Sequence, residues 1–380
     1  MKILLISMPS IHTIRWIENL ANSNHELYWF DILGKGKLDT DVKMTQIINW
    51  NKRKLPYFKG EHFLRKKTPR LYEKIESFLK ITANEKLVQL LEEIKPDLVH
   101  SFEMHSCSSP ILRTMQENPK IKWLYSCWGS DIYKYQEIPF YLPKIKKNLA
   151  RINYLHTDCL RDYKLAQKLG FKGVHMEIIP GGGGFKLELF QDYFKSLEER
   201  KIILVKGYQH HVGRGLQIVK ALEQLPISSI KYQVVVFGAH TEVQNYIEDQ
   251  KLPFKVFGRH SLTHKEILNL MGNSIMYIGN SISDGMPNTL LEAIVMGAFP
   301  IQSNPGNVTA EIILNGTNGL LINNPDSISE IKELIEASVN NPNLLAHAFQ
   351  YNQHNLKAKL EYKHIQQKIV ALYNKIESEL

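Results

Sequence analysis

The sequence predicts an α/β protein built from two doubly wound, parallel-sheet domains. Three observations lead to that class. The chain of 380 residues is longer than one hydrophobic core of about 100–200 residues usually organises. Short apolar runs alternate with amphipathic stretches only a few residues apart, which is the rhythm of strand–helix–strand units with parallel strands. That rhythm occurs twice, on either side of Pro180-Gly181-Gly182-Gly183-Gly184, a run that cannot hold regular structure and can absorb a backbone rotation. The glycine run is read as a joint between a first domain, residues 1–181, and a second, residues 185–355.

MKILLIS opens the chain as a strand, MPSIHT follows as a loop and IRWIENLANS as a helix, after which HELYWFDIL is the next strand. The first series continues through PDLVHSF (97–103), KWLYSCWGSD (122–131), NYLHT (153–157) and VHMEIIP (174–180). The second runs through KIILVKGY (201–208), YQVVVFG (232–238), FKVFG (254–258), IMYIGNS (275–281) and AFPIQS (298–303). Beyond Asp326 the pattern is helical, ending in LKAKLEYKHIQQKIVALYNKIESEL with one apolar face.

With 43% hydrophobic and 22% charged residues, the composition is that of a soluble globular protein. Lys2, Arg15 and Glu18 interrupt any leader-like apolar core, and no uncharged apolar run reaches about 18 residues. The chain is expected in the cytoplasm. Cys107, Cys127 and Cys159 are odd in number and far apart, so they suit neither a disulfide framework nor a zinc site and are expected as small buried side chains. Charge is divided unevenly: residues 1–181 hold 29 Lys and Arg against 19 Asp and Glu, and residues 182–380 hold 18 against 19. Much of the excess lies in Asn51–Lys74, where Arg53, Lys54, Arg65, Lys66, Lys67 and Arg70 are interleaved with Tyr57, Phe58, Phe63 and Leu64. That mixture fits either a solvated loop with local aromatic packing or a peripheral contact with an anionic membrane surface.

The stretch Ser281–Glu311 carries the densest chemistry. Asp284 and Glu292 flank a turn, Gly285-Met286-Pro287-Asn288, that opens a helix. A helix start offers unpaired N–H groups and a positive dipole end, which suit a diphosphate. Glu292, two turns along, is placed to accept hydroxyl hydrogen bonds. Lys206, at the end of the second domain's first strand, and Arg214, at the start of its first helix, are expected over the same mouth of the sheet, where they can neutralise a leaving diphosphate. The cleft at the carboxyl ends of both sheets is the expected ligand position in such folds. In the first domain, loops after strands bring His12, Glu103, His105 and Trp128-Gly129-Ser130-Asp131; a Trp and an Asp at a Gly turn can stack on a sugar ring and bind a hydroxyl. The glycines form neither G-x-G-x-x-G nor G-x-x-x-x-G-K-[ST], no G-x-S-x-G elbow occurs, and His100 and His105 are not a helical metal pair.

DGMPNTLLEAIVMGAFPIQSNPGNVTAEIILNGTNGLLI (284–322) resembles the Glu-x7-Glu region of glycosyltransferase family 4, the retaining GT-B enzymes that use nucleotide-sugar donors. In weaker form the resemblance runs over nearly the whole chain. It implies a GT-B fold, two Rossmann-like domains facing a central cleft, with a last helix of about 356–380 that packs back on the first domain near Tyr373. The first acid is Asp284 in place of Glu, and the second is Glu292. The resemblance sets Asp284 at the donor sugar, Glu292 at the nucleotide ribose, and the N–H groups around Asn288, Thr289 and Leu290 at the diphosphate, with Gly285 and Met286 in the donor turn. Lys206 and Arg214 are similar to the family's Arg and Lys with the residue types exchanged, and Arg259 falls at the base pocket in Gly258-Arg259-His260. WGSDIY is similar to a His-Gly-x-Asp loop with Trp128 for His. His105 and Asp131 join Asp284 as catalytic candidates, and His12 and Trp128 are acceptor-side candidates.

The implied reaction moves a hexosyl unit from a UDP- or GDP-sugar to a glycan or lipid-linked acceptor with retention, as in surface polysaccharide or glycolipid assembly. It takes no metal or other cofactor, since cations and a helix terminus do that work. No nucleic-acid partner is expected, and the basic segment allows a peripheral position on the inner face of the cell membrane. Two other readings suit the same fold: a non-catalytic module that binds a nucleotide sugar or glycan, and a sugar-nucleotide epimerase, for which no acids placed for anti elimination are recognisable.

Overall fold

Strands buried on both faces read as unbroken apolar runs, and the first of them shows why a parallel sheet forms: Ile3, Leu4, Leu5 and Ile6 are all fully buried. The computed structural model describes residues 1–180, 182–226 and 231–380, without the side chains of Arg70, Glu73 and Lys74. Gly181 of the glycine run and the Arg70 and Lys74 side chains of the basic segment therefore lie outside the described residues.

The described chain divides into two units. The N-terminal unit holds residues 1–157, 163–178 and 369–380. Its strands are β1 (Lys2–Ser7), β2 (Glu26–Asp31), β3 (Thr45–Ile47), β4 (Leu98–Phe102), β5 (Lys122–Ser126), β6 (Tyr154–Thr157) and β7 (Val174–Ile178). They form one sheet in the order β3-β2-β1-β4-β5-β6-β7, parallel throughout. The order reverses at β1/β4, the topological switch point. The C-terminal unit holds residues 158–162 and 179–368, with β8 (Ile202–Lys206), β9 (Gln233–Ala239), β10 (Lys255–Gly258), β11 (Ser274–Gly279), β12 (Phe299–Ser303) and β13 (Leu320–Ile322). Its parallel sheet runs β10-β9-β8-β11-β12-β13 and reverses at β8/β11.

Alternate residues of β8 and β9 serve opposite faces of the C-terminal sheet, as the two-residue period of a strand requires. Ile203, Val205, Val234 and Val236 pack beneath the helix Gly215–Glu223. Leu204, Val235 and Phe237 join the core that includes Leu290, Leu291 and Ile294 of the helix Asn288–Val295. Helix starts follow the local chemistry. Thr82 with Glu85, and Thr263 with Glu266, make reciprocal capping boxes, and Ser10 caps the helix Ile11–Glu18.

All eleven expected strands are present, and β3 and β13 are additional. Each is three residues long at a sheet edge, too short to show a period. The glycine run is less free than its composition implies. Gly182, Gly183 and Gly184 take φ values of 41°, 99° and 81°, but Gly184 is packed so tightly that a Cβ would stand 2.9 Å from both Ile365 Cβ and Tyr362 Cα. Phe185 N donates to Leu360 O at 2.9 Å and Phe185 O accepts from Tyr362 N at 2.9 Å, so the end of the run is clamped.

The division between the units falls inside the helix Tyr362–Glu377, whose second half belongs to the N-terminal unit. It is held there by a buried polar chain. Tyr373 Oη is 2.6 Å from His100 Nδ1 and accepts from Trp16 Nε1 at 2.9 Å, and His100 Nε2 lies 2.8 Å from Ser126 Oγ. Burial drives His100 well below the usual imidazole range, so it is neutral and can serve this chain as one donor and one acceptor. Cys107, Cys127 and Cys159 are free and buried. Among the described residues, no helix is long and apolar enough to cross a membrane.

Candidate active site

In an open parallel sheet the ligand mouth lies at the carboxyl ends of the strands where their order reverses. In the C-terminal unit that place is β8/β11. The pairing Val205↔Ile278 sets Lys206, the last residue of β8, beside Gly279, the last of β11. Gly279 is required: a Cβ there would stand 2.2 Å from Gln302 Oε1 and 2.7 Å from Tyr277 Oη. Lys206 Nζ lies 4.6 Å from the centroid of the Tyr208 ring, and Arg259 Cζ lies 4.8 Å from the same ring, so one aromatic ring gathers two cations. Neither is in an ion pair among the described residues. Arg259 Nη1 is 3.2 Å from His240 Nε2.

After β11 the chain turns back through Asp284, Gly285 and Met286 into the helix Asn288–Val295, whose N-cap is Pro287 with no side-chain cap. The first turn of this helix includes Thr289 and Leu290, and Leu290 is fully buried. Burial raises the Asp284 carboxyl above the usual range, while Lys206, the Gly285 N–H and Arg161 pull it back. An acid, a cation and an uncapped helix start thus share one mouth, the electrostatic set that stabilises a phosphate-bearing leaving group.

Arg214 reaches the same region, since its N–H donates to Asn280 O at 3.0 Å. Its guanidinium is already engaged: Nε donates to Asp326 Oδ1 at 2.7 Å, and Nη1 donates to Gly213 O at 2.9 Å and His210 O at 3.2 Å. The two expected cations therefore differ in surroundings: Lys206 lies over the Tyr208 ring, and Arg214 is held by Asp326 and two carbonyls. Glu292 is 6% exposed and meets His264 Nε2 at 2.9 Å, which occupies one of its oxygens.

Residues of the C-terminal unit that no sequence pattern indicated hold the turn from behind. Asp158 Oδ2 accepts from Met286 N at 2.9 Å, and Arg161 Nη2 donates to Asp284 O at 2.7 Å. Asp158, Cys159 and Asp162 bring ligand-type atoms within 4.8 Å of one another, but Arg161 is paired to Asp162 at 2.7 Å and answers that local charge. Signals for these residues, and for His264 and Asp326, are absent from the sequence because the site residues they hold, Met286, Asp284, Glu292 and Arg214, are distant along the chain.

In the N-terminal unit, the exposed His12 stands 5.6 Å, ring to ring, from the half-buried Trp128, which lies 6.3 Å from Phe102. Asp131 is 4% exposed and its oxygens are taken by neighbouring donors: Oδ2 accepts from Met104 N at 2.9 Å and from Tyr125 Oη at 2.5 Å, and Oδ1 accepts from Trp128 N at 3.1 Å. In this geometry Asp131 ties the Trp128 loop to Met104 and to Tyr125. His105 Nε2 donates to Asp131 O at 2.7 Å, and its ring packs 4.3 Å from Tyr135 and 4.6 Å from Tyr141. Burial lowers its pKa, leaving a neutral ring wedged among aromatics. Glu103, just before it, adopts φ 64° and accepts from His105 N at 2.8 Å, a strained backbone site at the end of the central strand.

Two Rossmann-like parallel sheets, one with a phosphate-suited mouth, define the fold class as GT-B. Family models match both halves: "Glycosyl transferases group 1" over residues 186–355 and "Glycosyl transferase 4-like" over residues 2–160. Among solved structures, sucrose-phosphate synthase from Thermosynechococcus elongatus is similar with a TM-score of 0.73 at 16% identity, over 100% of both chains. The lipopolysaccharide outer core galactosyltransferase WaaB gives 0.68 at 15% over 100% of both. Anabaena HepE in complex with UDP and glucose gives 0.67 at 15%, also over 100% of both. No curated protein sequence matches. The chain is a glycosyltransferase of the GT-B fold, with a group 1 domain as its C-terminal unit.

Proposed function

We propose that this glycosyltransferase moves a hexosyl unit from a nucleotide-diphosphate sugar, a UDP-sugar foremost, to a glycan or lipid-linked acceptor with retention of anomeric configuration. The observation that carries the reading is Lys206 at the end of β8 beside an uncapped helix start and the Asp284 turn. The UDP and UDP-glucose complexes of HepE support UDP as the nucleotide, and WaaB supports a surface-glycan acceptor. In the proposed reaction Lys206 and the helix N–H groups take the charge that builds on the leaving diphosphate. Asp284 orients the donor sugar, Glu292 accepts from the ribose, and Arg259 lies at the base. The acceptor hydroxyl attacks from the face the diphosphate leaves, and a diphosphate oxygen takes its proton. A metal is not required in this scheme, and His12 and Trp128 are the proposed acceptor contacts. The test is release of UDP, GDP or ADP from a panel of nucleotide sugars, with and without EDTA, and the anomeric configuration of the product by NMR. UDP release that persists in EDTA, with retention, is expected. Binding without turnover across the panel and a range of acceptors leaves the scaffold reading instead.

The acceptor is proposed to be held at an anionic membrane surface. Of the sixteen large apolar side chains exposed among the described residues, six fall in residues 55–78: Leu55, Tyr57, Phe58, Phe63, Leu71 and Phe78. The helices Glu61–Lys67 and Pro69–Leu79 carry several of them, and Lys59, Arg65, Lys66 and Lys67 nearby form no ion pair among the described residues. Arg53 is different, since Glu61 takes it at 2.7 Å. Each unpaired cation near an anionic leaflet contributes about 1 kcal/mol. Co-sedimentation with phosphatidylglycerol vesicles is expected to fall at least tenfold in a triple Arg65→Glu, Lys66→Glu, Lys67→Glu variant, with folding unchanged by circular dichroism. Equal partition of variant and wild type refutes the membrane contact.

A further inference from the structure

We propose that Asp158 is a positioning residue for the transfer reaction, one that sets the place of the Asp284 turn from behind without touching the donor. The proposal rests on the function given above and adds a residue to it. Three contacts carry it. Asp158 Oδ2 accepts from Met286 N at 2.9 Å. Gly285 is pressed so closely on the same oxygen that a Cβ would stand 2.5 Å from it. Arg161, three residues on, donates from Nη2 to Asp284 O at 2.7 Å and from Nη1 to Pro305 O at 2.8 Å. The backbone is thus gripped at two points immediately after the Asp284 side chain.

The grip is itself fixed. Glu311 accepts from Leu160 N at 2.7 Å and from Arg161 N at 2.9 Å, closing the start of the helix Leu160–Lys168, and Asp162 holds Arg161 at 2.7 Å. Earlier in the loop, Ser281 N donates to Ser303 Oγ at 2.8 Å and Ile282 N to Val212 O at 2.9 Å, so residues 281 and 282 are tied to β12 and the Arg214 loop. Residues 284–286 are tied to the rest of the unit by the burial of the Met286 side chain in the core and, among the described residues, by the backbone hydrogen bonds to Asp158 and Arg161. An orienting carboxylate must sit within a fraction of an ångström of its working place, because misplacement by about 1 Å costs on the order of 10²-fold.

Asp158 Oδ1 is buried and has no hydrogen-bond partner among the described residues. Burial and the neighbouring Asp162 push the Asp158 carboxyl up to about 8, against the pull of Met286 N–H, Arg161 and Cys159. The groups around it are Arg161, Asp162 and Cys159 on its own segment, Asp284 on the turn and Glu311 at the helix start. Below that pH the neutral acid still accepts from Met286 N. Above it a second negative charge appears behind Asp284 and disturbs the sugar-orienting carboxylate.

The test uses the full-length enzyme with three variants. Asp158→Ala is expected to lower kcat for transfer at least tenfold while UDP affinity changes less than threefold, since Lys206 and the helix start are untouched. Asp158→Asn keeps the acceptor for Met286 N; it is expected to restore most of kcat and to abolish the decline in activity above about pH 8. Gly285→Ala is expected to reproduce Asp158→Ala. Hydrogen exchange of the peptide spanning 282–290, faster in Asp158→Ala than in wild type, reads the same grip without any donor, so it stands apart from the assignment of function. Wild-type kcat in Asp158→Ala, or unchanged exchange there, overturns the proposal, as does a loss in kcat that Asp158→Asn fails to restore.

Discussion

Lys206→Ala is expected to lower kcat by about 10²–10³, the usual effect of removing one preorganised group that stabilises developing negative charge. The size follows from what else is available. Arg214 is committed to Asp326 at 2.7 Å and to two carbonyls, so it cannot swing over to replace the lost cation. Arg259 is drawn to the Tyr208 ring at 4.8 Å and stands against His240. The helix Asn288–Val295 offers only its dipole and N–H groups. A second readout separates this loss from misfolding. Lys206 lowers the Asp284 pKa against the burial that raises it, so removing the lysine lets the pKa rise further. If the ionised carboxylate is the working form, the acid limb of the pH profile of kcat/KM moves to higher pH in Lys206→Ala. Steady-state kinetics between pH 5 and 9 check both effects, and an unmoved acid limb with full kcat removes Lys206 from the mechanism.

Arg200→Ala is expected to destabilise the C-terminal unit by about 3–5 kcal/mol, the range for breaking a buried charged network from one side. Arg200 is 2% exposed and has no acidic partner within ion-pair distance among the described residues. Its guanidinium instead donates to Lys195 O at 2.7 Å, Met296 O at 2.7 Å and Ser274 O at 3.0 Å. Met296 ends the helix Asn288–Val295 as its C-cap, and Ser274 opens β11, so one side chain satisfies carbonyls on the two elements that frame the site. The rings of Phe194 and Phe349 lie 5.2 Å and 5.4 Å from its Cζ and add cation–π attraction. Burial lowers its pKa to about 10, so the cation persists at neutral pH. Removing it strands several buried acceptors at once. For a unit of this size the loss corresponds to a fall of roughly 10 °C in its thermal transition, measurable by calorimetry. Arg200→Lys is expected to recover only a part, because an ammonium lacks the planar fork that reaches three carbonyls.

The framework was legible in the sequence because its causes are local. A buried parallel strand is an apolar run such as Ile3–Ile6, and a helix start is a Thr with Glu three residues later, as at Thr82 and Thr263. Both are visible at short range. Lys206 at a strand end and Asp284 before a helix start were legible for the same reason, since each is placed by the element it terminates. β3 and β13 were not, because three residues at a sheet edge carry no period and owe their conformation to a neighbour. The glycine run shows a second limit of composition: it allows rotation, while the packing of Gly184 on Tyr362 and Ile365, far along the chain, fixes the end of the run.

What the sequence by itself determined is therefore the class and the inventory: two doubly wound parallel sheets, a cation at the end of one strand, two acids around a helix start, and an aromatic loop with His12 and Trp128 in the other unit. Which of those groups remain available to a ligand was decided only by tertiary structure. Arg214 is tied to Asp326, and Asp131 to Met104, Tyr125 and Trp128, while Lys206 lies over the Tyr208 ring and forms no ion pair among the described residues. The hand that holds Asp284, formed by Asp158 and Arg161, lies more than 120 residues away in the chain. Hydrogen bonds and ion pairs act over a few ångströms in space, and nothing in the spacing of residues along a chain records which distant groups will arrive within that reach.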